Sequence, residues 1–270
     1  MSDSRASGQV VSKDGTLIAY DRQGSGPALI LIVGALCSRA LGPSVKLAPR
    51  LAGQFTVFSY DRRGRGQSGD SAPYRVEREI EDLNALIAEA GGTAFVFGHS
   101  SGAVLGLKAV QHGLPIRKLA LYEAPLIVDH TRPSTQAEWA QIRNHLAQGQ
   151  RSEALKVFLK SVGLPAFVLG MMRFFPIWSQ LEQVAHTLSY DGAICEEFQK
   201  CEPLPSGIWS DLTIPVLAIA GGKSPAWMHN GMRALASALS NARYRAIEGQ
   251  THDVSAKALA PVLEAFLSAA

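Results

Sequence analysis

The stretch Gly98-His99-Ser100-Ser101-Gly102 decides how the rest of the chain is read. It follows the apolar run Thr93–Phe97 and precedes Ala103–Val110, whose composition suits a helix. A serine between two glycines at a strand-to-helix junction has a physical logic. The turn is strained, and side chains two residues to either side would meet the flanking strand and helix. Glycines at 98 and 102 remove them. The turn lifts the Ser100 hydroxyl clear of the sheet. It also aims the next backbone N–H groups, at a helix N-terminus, toward a developing oxyanion. A plain turn serine is the alternative reading; the buried strand before it and the helix after it weigh against that.

Outward from the turn, strands and helices alternate. Gln9–Ser12 and Thr16–Gly24 read as a hairpin turned at Asp14-Gly15. Ala28–Val33 is a continuous apolar run, as a strand buried on both faces requires. A helix is expected over 43–53, then a strand at Thr56–Tyr60 ended by the turn DRRGRGQSG. Apolar residues at 76, 80, 83, 86 and 87 give a helical spacing closed by Gly91-Gly92. Lys118–Tyr122 is the next strand. This order predicts a mostly parallel sheet with helices on both faces, an α/β fold. From 128 to 206 the rhythm changes to helical segments alone: Glu138–Gly149, Ser152–Gly163, Pro165–Phe175 and Leu181–Leu188. It resumes with a strand at Ile214–Gly222, a helix near 226–240, a strand at Arg243–Ile247 and a last helix near 254–269. The expected organisation is a core of residues 1–127 and 207–270 with a helical cap, or lid, over 128–206.

Composition bounds the function classes. The 270 residues are 47% hydrophobic, enough for one large core. With 26 basic and 23 acidic residues and no Lys/Arg run, nucleic-acid binding is not expected. Three cysteines, none in a CxxC, fit neither a disulfide framework nor a zinc site. The N-terminus is polar and the longest apolar run, 28–37, is too short to span a bilayer. A cytoplasmic protein, monomer or homodimer, with no membrane partner, is the expectation. No glycine-rich phosphate loop or metal-ligand cluster appears, so neither a cofactor nor a metal is expected.

The chain resembles the α/β-hydrolase family. GHSSG is similar to that family's nucleophile elbow, YDRRGRGQSG to its D-x-R-G-x-G-x-S turn, LIVGA to its oxyanion loop and GQTHD to its histidine loop, all in the right order. The resemblance implies a serine hydrolase with Ser100 as nucleophile and His252 as general base. His252 also lies on a loop at the carboxyl side of the sheet, where open α/β sheets place their chemistry. His99 reads as a packing or loop contact, and Asp253 as a cap for the last helix. The oxyanion hole is expected from the Ser101 N–H and an N–H of the loop VGAL. By resemblance the second donor is Ala35, with Gly34 allowing close approach. The family has His-Gly where this chain has Val33-Gly34, which weakens the loop's anchoring but not donation by backbone.

The acid departs from the pattern. Most of the family places an Asp after the strand that here reads VLAIA, where this chain has GGKSPAW with Ser224 at the position. No carboxylate lies between Asp211 and Glu248. Glu123, directly after the strand KLALY, is the leading candidate, and Asp129 is the second. This placement resembles that of zearalenone lactonase, whose glutamate also precedes a proline. A loop carboxylate held by an arginine or a backbone N–H is the alternative for Glu123.

The cap supplies Trp178, Met171 and Phe175, and Trp227 follows the turn that lacks its Asp; these are the expected substrate pocket. The expected activity is hydrolysis of an ester or lactone of a hydrophobic small molecule through an acyl-enzyme. Other chemistry on the same fold (C–C cleavage, perhydrolysis, lysis) and a non-catalytic ligand sensor remain as alternatives.

Overall fold

The computed structural model describes residues 5–269. Eight strands form one sheet: β1 (Ala6–Val11), β2 (Leu17–Gln23), β3 (Ala28–Ile32), β4 (Thr56–Tyr60), β5 (Ala94–His99), β6 (Ile116–Tyr122), β7 (Val216–Gly221) and β8 (Ala242–Ile247). Their order is β1-β2-β4-β3-β5-β6-β7-β8. The first hairpin pairs antiparallel with itself and with β4, and every later pairing is parallel. The centre of the sheet is dry on both faces, and every residue of β5 and of β7 is buried.

Helices α1 (Ser44–Leu51), α2 (Val76–Glu89) and α3 (Ser101–Gln111) follow β3, β4 and β5. Five helices then separate β6 from β7: α4 (Gln136–Ala147), α5 (Arg151–Ser161), α6 (Ala166–Met172), α7 (Pro176–Val184) and α8 (Leu188–Cys195). α9 (Ala226–Ala238) and α10 (Ala256–Ser268) complete the chain. α2, α3 and α9 cover one face of the sheet, and α1 and α10 cover the other. The inserted helices bury a cluster of their own around Trp139, Leu155, Trp178 and Leu188.

The strands fall where apolar runs place them, but the insertion is segmented differently. MMRFF does not continue one helix. α6 stops at Met172, and Pro176 opens α7 at a position where a missing N–H costs nothing. A single 3-10 turn, Ala185–Thr187, then leads into α8, a helix that the apolar spacing of residues 188–195 does not set apart.

The site is fixed by how closely bare backbone approaches at the elbow. A Cβ on Gly102 would lie 2.4 Å from the Ile32 carbonyl oxygen of β3. One on Gly98 would lie 2.5 Å from the Gly102 carbonyl oxygen. Strand and helix meet there with no side chain between them. Gly102→Ala is therefore expected to destabilise the fold by at least the 1–3 kcal/mol of an overpacked core, read from the urea midpoint. Gly113→Ala is the control for backbone strain alone, since its Cβ would meet nothing but its φ is +77°.

Candidate active site

Ser100 stands between β5 and α3 with φ 57° and ψ −125°, a strained conformation for a serine. Its N–H donates to the Tyr122 carbonyl at 2.9 Å, tying the elbow to the end of β6. The next residue along β6 is Glu123, which also has positive φ, 48°. Glu123 is fully buried. Its Oε1 accepts the Gly221 N–H at 2.7 Å, and its Oε2 lies 2.7 Å from His252 Nδ1. Burial alone would push its pKa up. The His252 bond, the neighbouring Ser224 hydroxyl and the Gly221 N–H outweigh that and hold it below the ordinary carboxylate range. Ser224, in the turn after β7, lies beside this carboxylate without meeting hydrogen-bond geometry. Asp129 instead binds the Thr131 N–H and the Asn230 amide.

The structure thus brings Ser100, Glu123 and His252 to the rim of one cavity of about 370 Å³. His252 remains about half exposed. The ring's hydrogen bond is to Glu123 and none joins it to the Ser100 hydroxyl; contacts between base and nucleophile often tighten only around substrate. Gly34 packs directly against Ser100: a Cβ there would lie 2.9 Å from Ser100 Cβ and 3.4 Å from its Oγ. The N–H groups of Ala35 and Ser101 have no partner among the described residues, and both residues line the cavity.

Two histidine-loop carbonyls are gripped from the sheet. Tyr122 Oη donates to the Thr251 carbonyl at 2.6 Å. His99 Nε2 lies 3.1 Å from the His252 carbonyl, which can only accept, so Nε2 carries the proton. The His99 ring stacks on Tyr122, centroids 5.7 Å apart, and lies 4.8 Å from the His252 ring. Burial, reinforced by the nearby His252, pushes the His99 pKa down to about 3. The expectation of a loop contact for His99 is met. Asp253 is corrected: the side chain that caps α10 is Ser255, whose Oγ accepts the Ala258 N–H.

A buried ionic web that sequence reading missed lies beneath the elbow. Asp191 of α8 accepts from Ser101 Oγ at 2.7 Å and from Arg62 Nη1 at 2.8 Å on one oxygen. Its other oxygen accepts from Arg65 Nη2 at 2.6 Å. Arg62 also forks onto Glu79 of α2, at 2.6 and 2.7 Å. All four charged side chains are at most 2% exposed. Arg65 Nη1 donates to the Gly34 carbonyl at 2.7 Å. That bond supplies the loop anchoring that Val33 in place of histidine left open. The three arginines of DRRGRG form a turn, as read, but they point inward. Gly64 and Gly66 mark the turn, whereas the arginines' carboxylate partners lie 17 to 129 positions away along the chain.

The pocket prediction needs correction. Of its four residues only Trp227 lines the cavity. Trp178 is buried within the insertion and donates to Ser152 Oγ. Met171 and Phe175 are exposed on the outside of it. The apolar walls are instead Trp139, Ile142, Phe158 and Met228, with Pro125 and Ile127 near the acid. Helical phase explains the difference: aromatic content said which segment was apolar, not which side of each short helix faced the core.

A profile of the alpha/beta hydrolase family matches residues 29–265, from β3 through the insertion into α10. The chain belongs to that family. It is 46% identical to an alpha/beta hydrolase from Sphaerobacter thermophilus, with a TM-score of 0.88 over 97% of this chain and 100% of that one. It is 35% identical over 194 residues to an uncharacterized hydrolase, YraK, of Bacillus subtilis, covering 66% of this chain and 69% of YraK. An enol-lactonase from Burkholderia xenovorans has the same fold at 21% identity, with a TM-score of 0.72 over 97% of this chain and 100% of that one. Among the described residues, no helix is long and apolar enough to cross a membrane.

Two outcomes follow from the buried groups. Asp191→Asn leaves Arg65 without its one carboxylate partner among the described residues, and a loss of about 3–5 kcal/mol in unfolding free energy is expected from urea melts. His99 is neutral when folded, whereas the unfolded chain takes up a proton near pH 6.5. Its contribution is therefore fully present above pH 6.5 and is lost as pH falls toward about 3. His99→Gln, which keeps an N–H donor, is expected to flatten the fall in urea midpoint between pH 6.5 and pH 4.

Proposed function

We propose that this chain is a serine hydrolase that cleaves a carboxylic ester or lactone of a largely apolar small molecule through an acyl-enzyme. The observation that carries the reading is the buried, ionised Glu123 bound to His252 Nδ1, in the same cavity as Ser100 and two unengaged backbone N–H groups. Glu123 fixes the tautomer with the proton on Nδ1. Nε2 is then left with a lone pair to accept the Ser100 proton. As Ser100 Oγ attacks the carbonyl carbon, negative charge develops on the carbonyl oxygen. The Ala35 and Ser101 N–H groups are placed to receive it, and neither must first give up a protein partner. The imidazolium passes its proton to the leaving alkoxide, and water activated by His252 then releases the acid. The leaving group thus takes the Ser100 proton, and the attacking water, through His252, returns one to Ser100 as the acid departs. The helices of residues 128–206 serve as a cap: Trp139, Ile142 and Phe158 close an apolar wall over the serine, which suits an apolar substrate.

The test is the rate at which a fluorophosphonate adds to the protein, followed by intact mass with peptide mapping. The wild type is expected to label at Ser100, and Ser100→Ala not at all. Glu123→Gln is expected to slow labelling by roughly 10³–10⁴, the scale of losing a triad acid. Equal rates in wild type and Glu123→Gln would remove the acid from the mechanism. Absence of labelling in the wild type would favour a binding protein over an enzyme.

A further inference from the structure

Among the described residues, Arg132 is the one Arg or Lys lining the cavity that holds Ser100 and His252. It lies between β6 and α4, on the chain that leads out of Glu123 into the insertion. Its guanidinium sits over the Trp227 ring, 4.5 Å from the centroid, and Nη2 donates to the Ser161 carbonyl at 2.6 Å. Those two contacts hold the side chain along the wall. They use one of its five N–H donors.

The contrast with the other arginines inside the molecule is sharp. Arg62, Arg63 and Arg65 each bind a buried carboxylate. Arg132, half-buried, has no carboxylate of the described residues within ion-pair distance, and burial pushes its pKa below the ordinary guanidinium range. Glu138 also lines the cavity and partly offsets that shift, but from beyond ion-pair reach. A partly desolvated guanidinium without a counter-charge is costly, and a planar two-oxygen anion recovers most of that cost through paired hydrogen bonds. The approach is charged the same way. A groove in the insertion shares Arg132, Thr135, Glu138 and Ser161 with the cavity and adds Lys156, Lys160 and Arg173. Such a mouth draws anions inward. Lys156 is held by Glu153, while Lys160 and Arg173 have no ion-pair partner among the described residues.

We propose that the substrate carries a carboxylate, which docks on the Arg132 guanidinium while its ester or lactone carbonyl lies at Ser100. The position of the scissile bond rests on the proposed hydrolase reading; the carboxylate subsite itself does not. Glu138 on the same wall disfavours a second negative charge, so the subsite suits a monocarboxylate.

Binding and turnover test the two parts separately. Calorimetric titration with benzoate and with its neutral isostere benzamide needs no catalysis. The wild type is expected to prefer benzoate. Arg132→Gln is expected to reduce that preference about ten- to a hundredfold, the worth of a charged hydrogen-bonded pair, with Arg132→Lys in between. Glu138→Gln is expected to tighten benzoate severalfold. Turnover is then compared between mono-4-nitrophenyl glutarate and 4-nitrophenyl pentanoate, where the kcat/KM ratio should favour the glutarate in the wild type and fall in Arg132→Gln. A wild type that does not prefer benzoate, or a preference that survives in Arg132→Gln, overturns the proposal. Should Arg132→Gln not fold, Glu138→Gln decides, and unchanged benzoate affinity there overturns it. An Arg132-dependent preference for benzoate with neither ester cleaved leaves the subsite standing and counts against the hydrolase reading.

Discussion

Asp191 receives three donors at once, from Ser101, Arg62 and Arg65, in a place sealed from water. Buried charges of this kind are tolerated only as a closed set, because each one left unpaired costs several kcal/mol. The set is closed by three distant segments: the turn after β4, the elbow after β5, and α8 of the insertion. Arg62 has Glu79 as a second partner within the core, but among the described residues Arg65 pairs with Asp191 alone. The core therefore cannot balance its own charge without the insertion. Through Arg65 the same web holds the Gly34 carbonyl, and through Ser101 Oγ it holds the residue after the elbow serine. The two N–H groups flanking Ser100 are thus set by one carboxylate.

The position of Glu123, directly after β6, follows from the geometry of neighbouring parallel strands. Tyr122 pairs with Ile219, so the ends of β6 and β7 lie side by side, and a carboxylate leaving either can reach the same histidine. From β6 the reach passes across the end of β7, and Glu123 takes the Gly221 N–H on the way. The extra methylene of a glutamate suits that longer path. The positive φ at Glu123 turns the chain sharply there, so the side chain is directed inward at the point where the backbone leaves the sheet.

The parts of this molecule that are local in sequence were legible in it. Apolar runs such as Ala28–Val33 and Thr93–Phe97 mark strands because a sheet covered on both faces leaves no polar side. The elbow was legible because its glycines answer a backbone constraint two residues away, and Glu123 because it is the first charge after an apolar strand. What depends on long-range pairing was hidden. Arg62, Arg65 and Asp191 look like surface charges until the fold brings them together, and only their buried setting shows their role. The cavity wall was hidden for another reason. Short helices in the insertion share composition on all sides, so Phe175 and Phe158 read alike although one faces solvent and the other the cavity.

The grip on the histidine loop uses carbonyls, which every residue possesses. His99 and Tyr122 are directly paired in the β5–β6 register, and each immediately precedes a site residue, Ser100 or Glu123. The loop carrying His252 is thereby located from the sheet, with a side-chain bond of its own, from the Ser255 N–H to Gln250 Oε1. Glu248 and Thr251 can then drift in sequence without moving the imidazole, whereas Gly249, at φ 72°, and Gln250, through that bond, are held; a slip of the β5–β6 register would displace serine, carboxylate and both donors together. Divergence in this chain has more room on the histidine loop than at the strand ends that face it.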